Sequence, residues 1–233
     1  MTPPTIDTVL DAFLSDQRER LSARTMRSYE DVVELLRDSL NGYGPNSLTG
    51  QDLDRWRQAM NAGDDEAFCR LFGPEHILDH LGEFLGYFMV RKVMASESLL
   101  RSSGTVTKKL ATWLHEHGYA DETQRDLAVD RGGEAARDLP RAERLATLLY
   151  EQSLTATGAG PRELTPGDTV GGDLPLRIER AEPGVLFFEG GIGPVRVSRQ
   201  ASDLARPGWE VTITLVRHRA TWKIVEVGNV YPR

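Results

Sequence analysis

Apolar residues along the first two-thirds of the chain recur with the period of an α-helix. Ile6, Val9, Leu10 and Phe13 follow the i, i+3, i+4, i+7 spacing that gathers side chains on one face. Ser22 has the chemistry of an N-cap for a second helix with the stripe Met26, Tyr29, Val33, Leu36 and Leu40, stopped by Asn41-Gly42. Thr49-Gly-Gln-Asp52 reads as a near capping box opening a third helix, with Leu53, Trp56 and Met60 inward. A short helix after Gly63 carries Phe68, Leu71 and Phe72. Pro74 then suits the first turn of the longest helix, whose core face is Ile77, Leu78, Leu81, Leu85, Phe88 and Met89. Ser103 or Thr105 is expected to start the next helix, with Val106, Leu110, Trp113 and Leu114 buried and Gly118 as its stop. Arg131-Gly-Gly-Glu134 predicts a break. Pro140 restarts a helix with Leu145, Leu148 and Leu149 on its apolar face, as much a core element as a connector.

The period then changes from 3.6 to 2. Leu174, Leu176 and Ile178 alternate with polar residues, as do Leu186 and Phe188, Val195 and Val197, then Val211, Ile213 and Leu215. Trp222 and Ile224 follow, with Val225 and Val227 beyond. Pro183-Gly184, Gly190-Gly191, Pro207-Gly208 and the polar stretch 217–221 separate these runs as turns. Strands this short must hide their edges, and a small closed barrel, SH3-like or OB-like, does so. The expected fold class is therefore α+β in two domains: a helical bundle over 1–154, a Gly-, Pro- and Thr-rich linker over 155–172, and an all-β barrel over 173–233.

Charge qualifies this picture. The net charge of −7 is uneven, since Pro161 to Arg233 holds ten Lys/Arg against nine Asp/Glu and the remainder carries the acidic excess. An acidic helical half opposes diffuse attraction to phosphates, so any nucleic-acid contact has to come from a local basic face. Cys69 is the only cysteine, which rules out an internal disulfide and suits a reducing compartment. The start of the chain lacks the basic and apolar regions of a signal peptide, and the most apolar stretch, Ile77 to Met94, carries five ionisable residues. Both point to a cytoplasmic protein without a membrane role.

Ile6-Asp-Thr-Val-Leu-Asp-Ala-Phe-Leu14 followed by Leu21-Ser-Ala-Arg-Thr-Met-Arg-Ser-Tyr29 resembles the core-binding, SAM-like domain of tyrosine recombinases and phage integrases. Leu21, Ser22, Thr25 and Tyr29 occupy that family's Leu-Ser-x-x-Thr-x-x-x-Tyr entry into its second helix. The segment Thr105 to Tyr119 is similar to integrase-like bundles more loosely. The resemblance implies a helical clamp on DNA. The family's catalytic domain is missing: the nearest imitation, Arg217-His218-Arg219-Ala220-Thr221-Trp222 with Tyr231, lacks the Arg of His-x-x-Arg. Recombinase chemistry is excluded on that pattern.

Arg18, Arg20, Arg24, Arg27, Lys108 and Lys109 are the candidate nucleic-acid contacts that the resemblance implies; the alternative for all six is a solvated helix surface, because Asp16, Glu19, Glu30 and Asp31 interleave with the arginines. In the barrel, Arg177 and Arg196 fall out of phase with the apolar residues and are expected to face solvent; together with Arg180, Arg199, Arg217 and Arg219 they read as solubilising surface charge, the alternative being a face that binds oligonucleotides or peptides. His76 and His80 have chelating i, i+4 spacing but lack the Glu of a metalloprotease motif and a third ligand, so no metal site is assigned. Cys69 reads as a buried small hydrophobe. Gly190 to Pro194 reads as a hairpin turn, and Trp209 and Trp222 as barrel plugs, the alternative being that one of them faces a groove as a binding aromatic. No catalytic constellation and no cofactor motif emerges. The expected function is a non-enzymatic DNA-binding or recombination-associated accessory protein, with a protein-interaction or scaffold module as the alternative.

Overall fold

The computed structural model describes residues 3–156, 169–218 and 221–232. Backbone contacts divide the chain into two units, Met1–Arg137 and Asp138–Arg233. This is an α+β arrangement with a helical N-terminal region and a closed C-terminal barrel.

In the first unit α1 (Ile6–Arg18) is opened by Thr5, whose side chain accepts from Thr8 N while Thr8 Oγ1 accepts from Thr5 N. Ser22 caps α2 (Ala23–Tyr43) by accepting from Thr25 N, as its position in the sequence predicts. A 3₁₀ turn over Gly44–Ser47 leads to α3 (Gly50–Asn61). Thr49 holds the N-cap position of α3, yet its side chain makes no capping bond, so the capping box does not form. Phe13 anchors the core, with its ring 6.0 Å from Tyr29 of α2 and 5.8 Å from Trp113.

The short helix expected after Gly63 is α4 (Ala67–Leu71), whereas the helix expected from Pro74 onward is divided into α5 (Glu75–Asp79), α6 (Leu81–Glu83), a π-helical turn (Phe84–Phe88) and α7 (Met89–Arg91). Of its expected core face, Ile77, Leu78, Leu81, Leu85 and Met89 are buried and Phe88 is half-buried. The backbone is irregular because it passes through a π turn containing Gly86, and such inserted turns interrupt the i to i+4 ladder.

Helix α8 (Glu97–Glu116) starts earlier than Ser103 or Thr105, capped by Ser96, and ends before Gly118 at φ +77°. Helix α9 (Glu122–Ala156) contradicts the break expected at Gly132-Gly133: it runs unbroken through both glycines and through Pro140. The reason lies in packing. A side chain on Gly104 of α8 would overlap the backbone of Gly132 and Ala136, so these glycines let the two helices touch. Pro140 and the adjacent Leu139 are buried, and that burial offsets the hydrogen bond that proline cannot donate.

In the second unit Ala142, Leu145 and Leu149 of α9 belong to the same buried core as Ile178, Leu186, Phe188, Val195, Val211, Ile213, Leu215 and Ile224. The helix segment expected to be as much core element as connector is thus part of the barrel's core. The strands are β1 (Thr169–Gly171), β2 (Leu176–Glu182), β3 (Val185–Phe188), β4 (Ile192–Arg196), β5 (Glu210–His218) and β6 (Thr221–Tyr231), with α10 (Arg199–Leu204) between β4 and β5. Strand β1 lies within the stretch assigned to a linker, whose residues 157–168 fall outside the described ones. The ring closes in the order β5-β2-β3-β4-β6 back to β5, and β1 adds to β5. Strands β4 and β6 pair in parallel while the other pairs are antiparallel. A parallel closing pair and a helix between the third and fourth barrel strands fit the OB-like alternative, since SH3-like barrels close with antiparallel pairs. Leu174, expected to begin the first alternating run, is 78% exposed and precedes β2.

Candidate nucleic-acid interface

The contact of α8 with α9 creates a groove of about 390 Å³ lined by Thr105, Lys108, Lys109, Thr112, Val129, Gly133, Ala136 and Arg137. Its volume is that of a small-ligand site, yet its lining is unlike one: among the described residues it holds three cations, no carboxylate and no aromatic ring. Thr105 and Thr112 donate their hydroxyls to the carbonyls of Arg101 and Lys108 one turn back, so the donors left to a ligand are the three cations. Lys108, Lys109 and Arg137 are exposed and enter no ion pair among the described residues. Asp130 and Glu134 stand at neighbouring exposed positions of α9 without lining the groove.

Helix α8 supplies Lys108 and Lys109 to one wall because its other face is spent on the core through Val106, Leu110, Trp113 and Leu114. Helix α9 supplies Arg137 one turn beyond Gly133. A Cβ placed on Gly133 would lie 3.8 Å from Arg137 Nη1 and 3.9 Å from Lys108 Nζ, so the two charges converge over that glycine.

The α1–α2 arginines are arranged differently. Arg18 is held by Glu30 at 2.8 Å and its charge is already met. Arg20 in the α1–α2 turn, and Arg24 and Arg27 in the opening turns of α2, are exposed without ion pairs among the described residues. None of the four lines the groove. The structure therefore joins Lys108 and Lys109 to a partner that the sequence analysis missed, Arg137, and leaves the α1–α2 arginines on an open surface. The signal for Arg137 was its place four residues after Gly133, which gains meaning only once α8 is known to cross there.

The barrel's arginines are largely engaged with their neighbours. Arg177 pairs with Glu210 at 3.1 Å and Arg180 with Glu182 at 2.6 Å, while the Arg180 guanidinium lies 3.7 Å from the Phe187 ring centroid. Arg196 and Arg199 are exposed, and Arg217 stands 5.9 Å from the Trp222 ring. Arg219 lies outside the described residues. Trp209 is buried as a plug, whereas Trp222 is half-buried.

His76 and His80 pack edge-on against Phe68, and His80 Nε2 meets Ser47 Oγ at 3.2 Å. Burial of the ring, and then the neighbouring His76, hold His80 below its ordinary 6.5. No cluster of three or more metal-ligating side chains exists among the described residues. Burial pushes the Cys69 thiol far up, next to Asp7 and against the opposing pull of Arg37; such a thiol is not a nucleophile at neutral pH. Among the described residues no helix is long and apolar enough to cross a membrane.

No protein-family model, no curated protein and no solved structure matches this chain. The likeness of residues 6–29 to integrase core-binding domains accordingly rests on its motif alone.

Proposed function

We propose that this protein is a non-enzymatic nucleic-acid-binding module that contacts phosphates through the α8–α9 groove. One observation carries the reading: Lys108, Lys109 and Arg137 face one concavity from both walls, and no carboxylate lines it. Unpaired cations held close together repel one another, an arrangement that an anionic ligand relieves. Lysine and arginine contacts of this kind reach the phosphate backbone, which carries no sequence information, so binding is sequence-independent. Arg20, Arg24 and Arg27 are exposed cations outside the groove, on the integrase-like entry into α2. The barrel's OB-like connectivity adds support by analogy, since such barrels bind oligonucleotides. A role beside a recombination system is the finer form of this reading.

The test is fluorescence anisotropy of the full chain with labelled single-stranded and duplex DNA at low salt. Micromolar binding that drops in a Lys108→Gln/Lys109→Gln/Arg137→Gln variant of unchanged thermal stability is expected. Equal binding by the variant and the parent would overturn the groove's role.

A protein-interaction module is the second reading, and a separate observation favours it. Tyr43 lies 5.6 Å from Tyr87 and 6.1 Å from Phe88, Arg91 sits 5.9 Å from the Tyr87 ring, and Met94 nearby in sequence is fully exposed. Tyr, Arg and Met are the residues enriched in protein interfaces. An interface of this kind responds weakly to salt, which separates it from phosphate binding.

A further inference from the structure

Two glycines stand side by side inside α9, and each weakens a helix relative to alanine. Gly132 has a packing reason, because a Cβ there would come within 2.8 Å of Gly104 O and of Lys108 Cγ. Gly133 has none. The nearest atoms to a Cβ at Gly133 are Arg137 Nη1 at 3.8 Å and Lys108 Cδ and Nζ at 3.9 Å, which is ordinary contact. The fold does not require a glycine there, yet the empty position lies under the head groups of two cations that have no carboxylate partner among the described residues.

We propose that Gly133 is the floor of a phosphate seat, in which one phosphate group rests against α9 between the Lys108 ammonium and the Arg137 guanidinium. With no side chain at Gly133, a phosphate oxygen can rest in van der Waals contact with its Cα, on the side toward which a Cβ would project, where the two charged nitrogens lie 3.8–3.9 Å from that Cβ position. Small rotations of these long side chains bring it to the roughly 2.8 Å of a charge-assisted hydrogen bond. Arg137 supplies a planar fork for two oxygens of the group, and Lys108 a compact charge from the opposite wall. Lys109 lines the same groove and takes a neighbouring negative charge. Glycine serves here as it does in other phosphate sites, by admitting the ligand close to the backbone.

That the phosphate comes from a nucleic-acid strand rests on the proposed function; a phosphorylated small molecule presents the same group. The experiment separates the two sources. Wild-type protein, Gly133→Ala and Gly133→Gln are compared with Gly42→Ala as a control, since Gly42 is an exposed helical glycine of α2 with nothing within 4 Å of an added Cβ. Thermal melting and binding of a labelled oligothymidylate at low salt are measured for each.

Both alanine variants are expected to melt at or above the wild-type temperature. Gly42→Ala binds as wild type, Gly133→Ala binds about threefold more weakly, and Gly133→Gln about tenfold more weakly. If wild type binds the strand and both Gly133 variants bind it equally well, the seat is overturned and the nucleic-acid reading stands. If wild type binds no strand at low salt, that reading falls, and a pyrophosphate titration followed by backbone amide shifts decides the seat. Shifts centred on Lys108, Gly133 and Arg137 that vanish in Gly133→Gln keep it as a site for a phosphorylated small molecule. No shifts there overturn it.

Discussion

Gly104 and Gly132 meet backbone to backbone: a Cβ on Gly132 would stand 2.8 Å from the carbonyl oxygen of Gly104, and one on Gly104 would overlap the carbonyl of Gly132. This contact sets the approach of α8 to α9 and hence the width of the groove that Lys108, Lys109 and Arg137 share. Replacing Gly104 with alanine forces the helices apart, because the obstructing atoms are backbone and cannot rotate away. A loss of about 1–3 kcal/mol in stability is expected by urea denaturation, together with weaker oligonucleotide binding. An unchanged midpoint would show that the helices do not touch there.

The barrel unit depends on the end of α9. Leu145 is fully buried among strand residues, so Leu145→Ala leaves a cavity costing about 2–5 kcal/mol. Hydrogen exchange should show the loss in the amides of β2, β3 and β5 as well as in the helix. Loss confined to the helix would mean that the segment is only a connector.

His80 gives the fold an acid-sensitive element. Its folded-state pKa lies below 6.5, mainly through burial, so near and below that pH the unfolded chain binds the proton more readily than the native one. Stability from this residue is present above about pH 6.5 and lost as pH falls through that value toward the lower folded-state pKa. Asp7, raised by burial, acts in the opposite sense and nearer to pH 4. Denaturation midpoints between pH 7.5 and about 5.5 should therefore fall more steeply for the parent than for His80→Gln. Parallel profiles would remove His80 as the cause.

Cys69 is fully buried, and its Sγ has the Arg37 carbonyl as neighbour at 3.9 Å. A thiol reagent at neutral pH should react with it only at the rate of unfolding, and completely in denaturant. Fast modification of native protein would contradict its burial.

Much of this architecture was legible from periodicity. The stripes of α1, α2 and α8 are buried as their spacing predicts, and the change of period near Leu176 marks the start of the barrel's closed ring. What the sequence hid was long-range. Gly132-Gly133 looks like a helix break in isolation, and only the crossing with Gly104 explains an unbroken helix. The stretch after Pro74 has a consistent apolar face, so nothing in its pattern distinguishes a single helix from short pieces with a π turn. Helix α10 spans six residues, too short for a period to show, although Ser198 caps it by accepting from Ala201 N. The candidate site was half visible: Lys108-Lys109 stand out as a pair, while Arg137 joins them from the next helix.

The most direct measurement of phosphate binding by the groove is the dependence of oligothymidylate affinity on salt. With three cations on the phosphates, a plot of log K against log salt should have a slope of about −2 on single strands, from the roughly 0.7 counterions released per contact. The Lys108→Gln/Lys109→Gln/Arg137→Gln variant should lose most of that slope along with its affinity. A parent protein that binds with no salt dependence, or a variant that retains the parent's slope, would contradict the account.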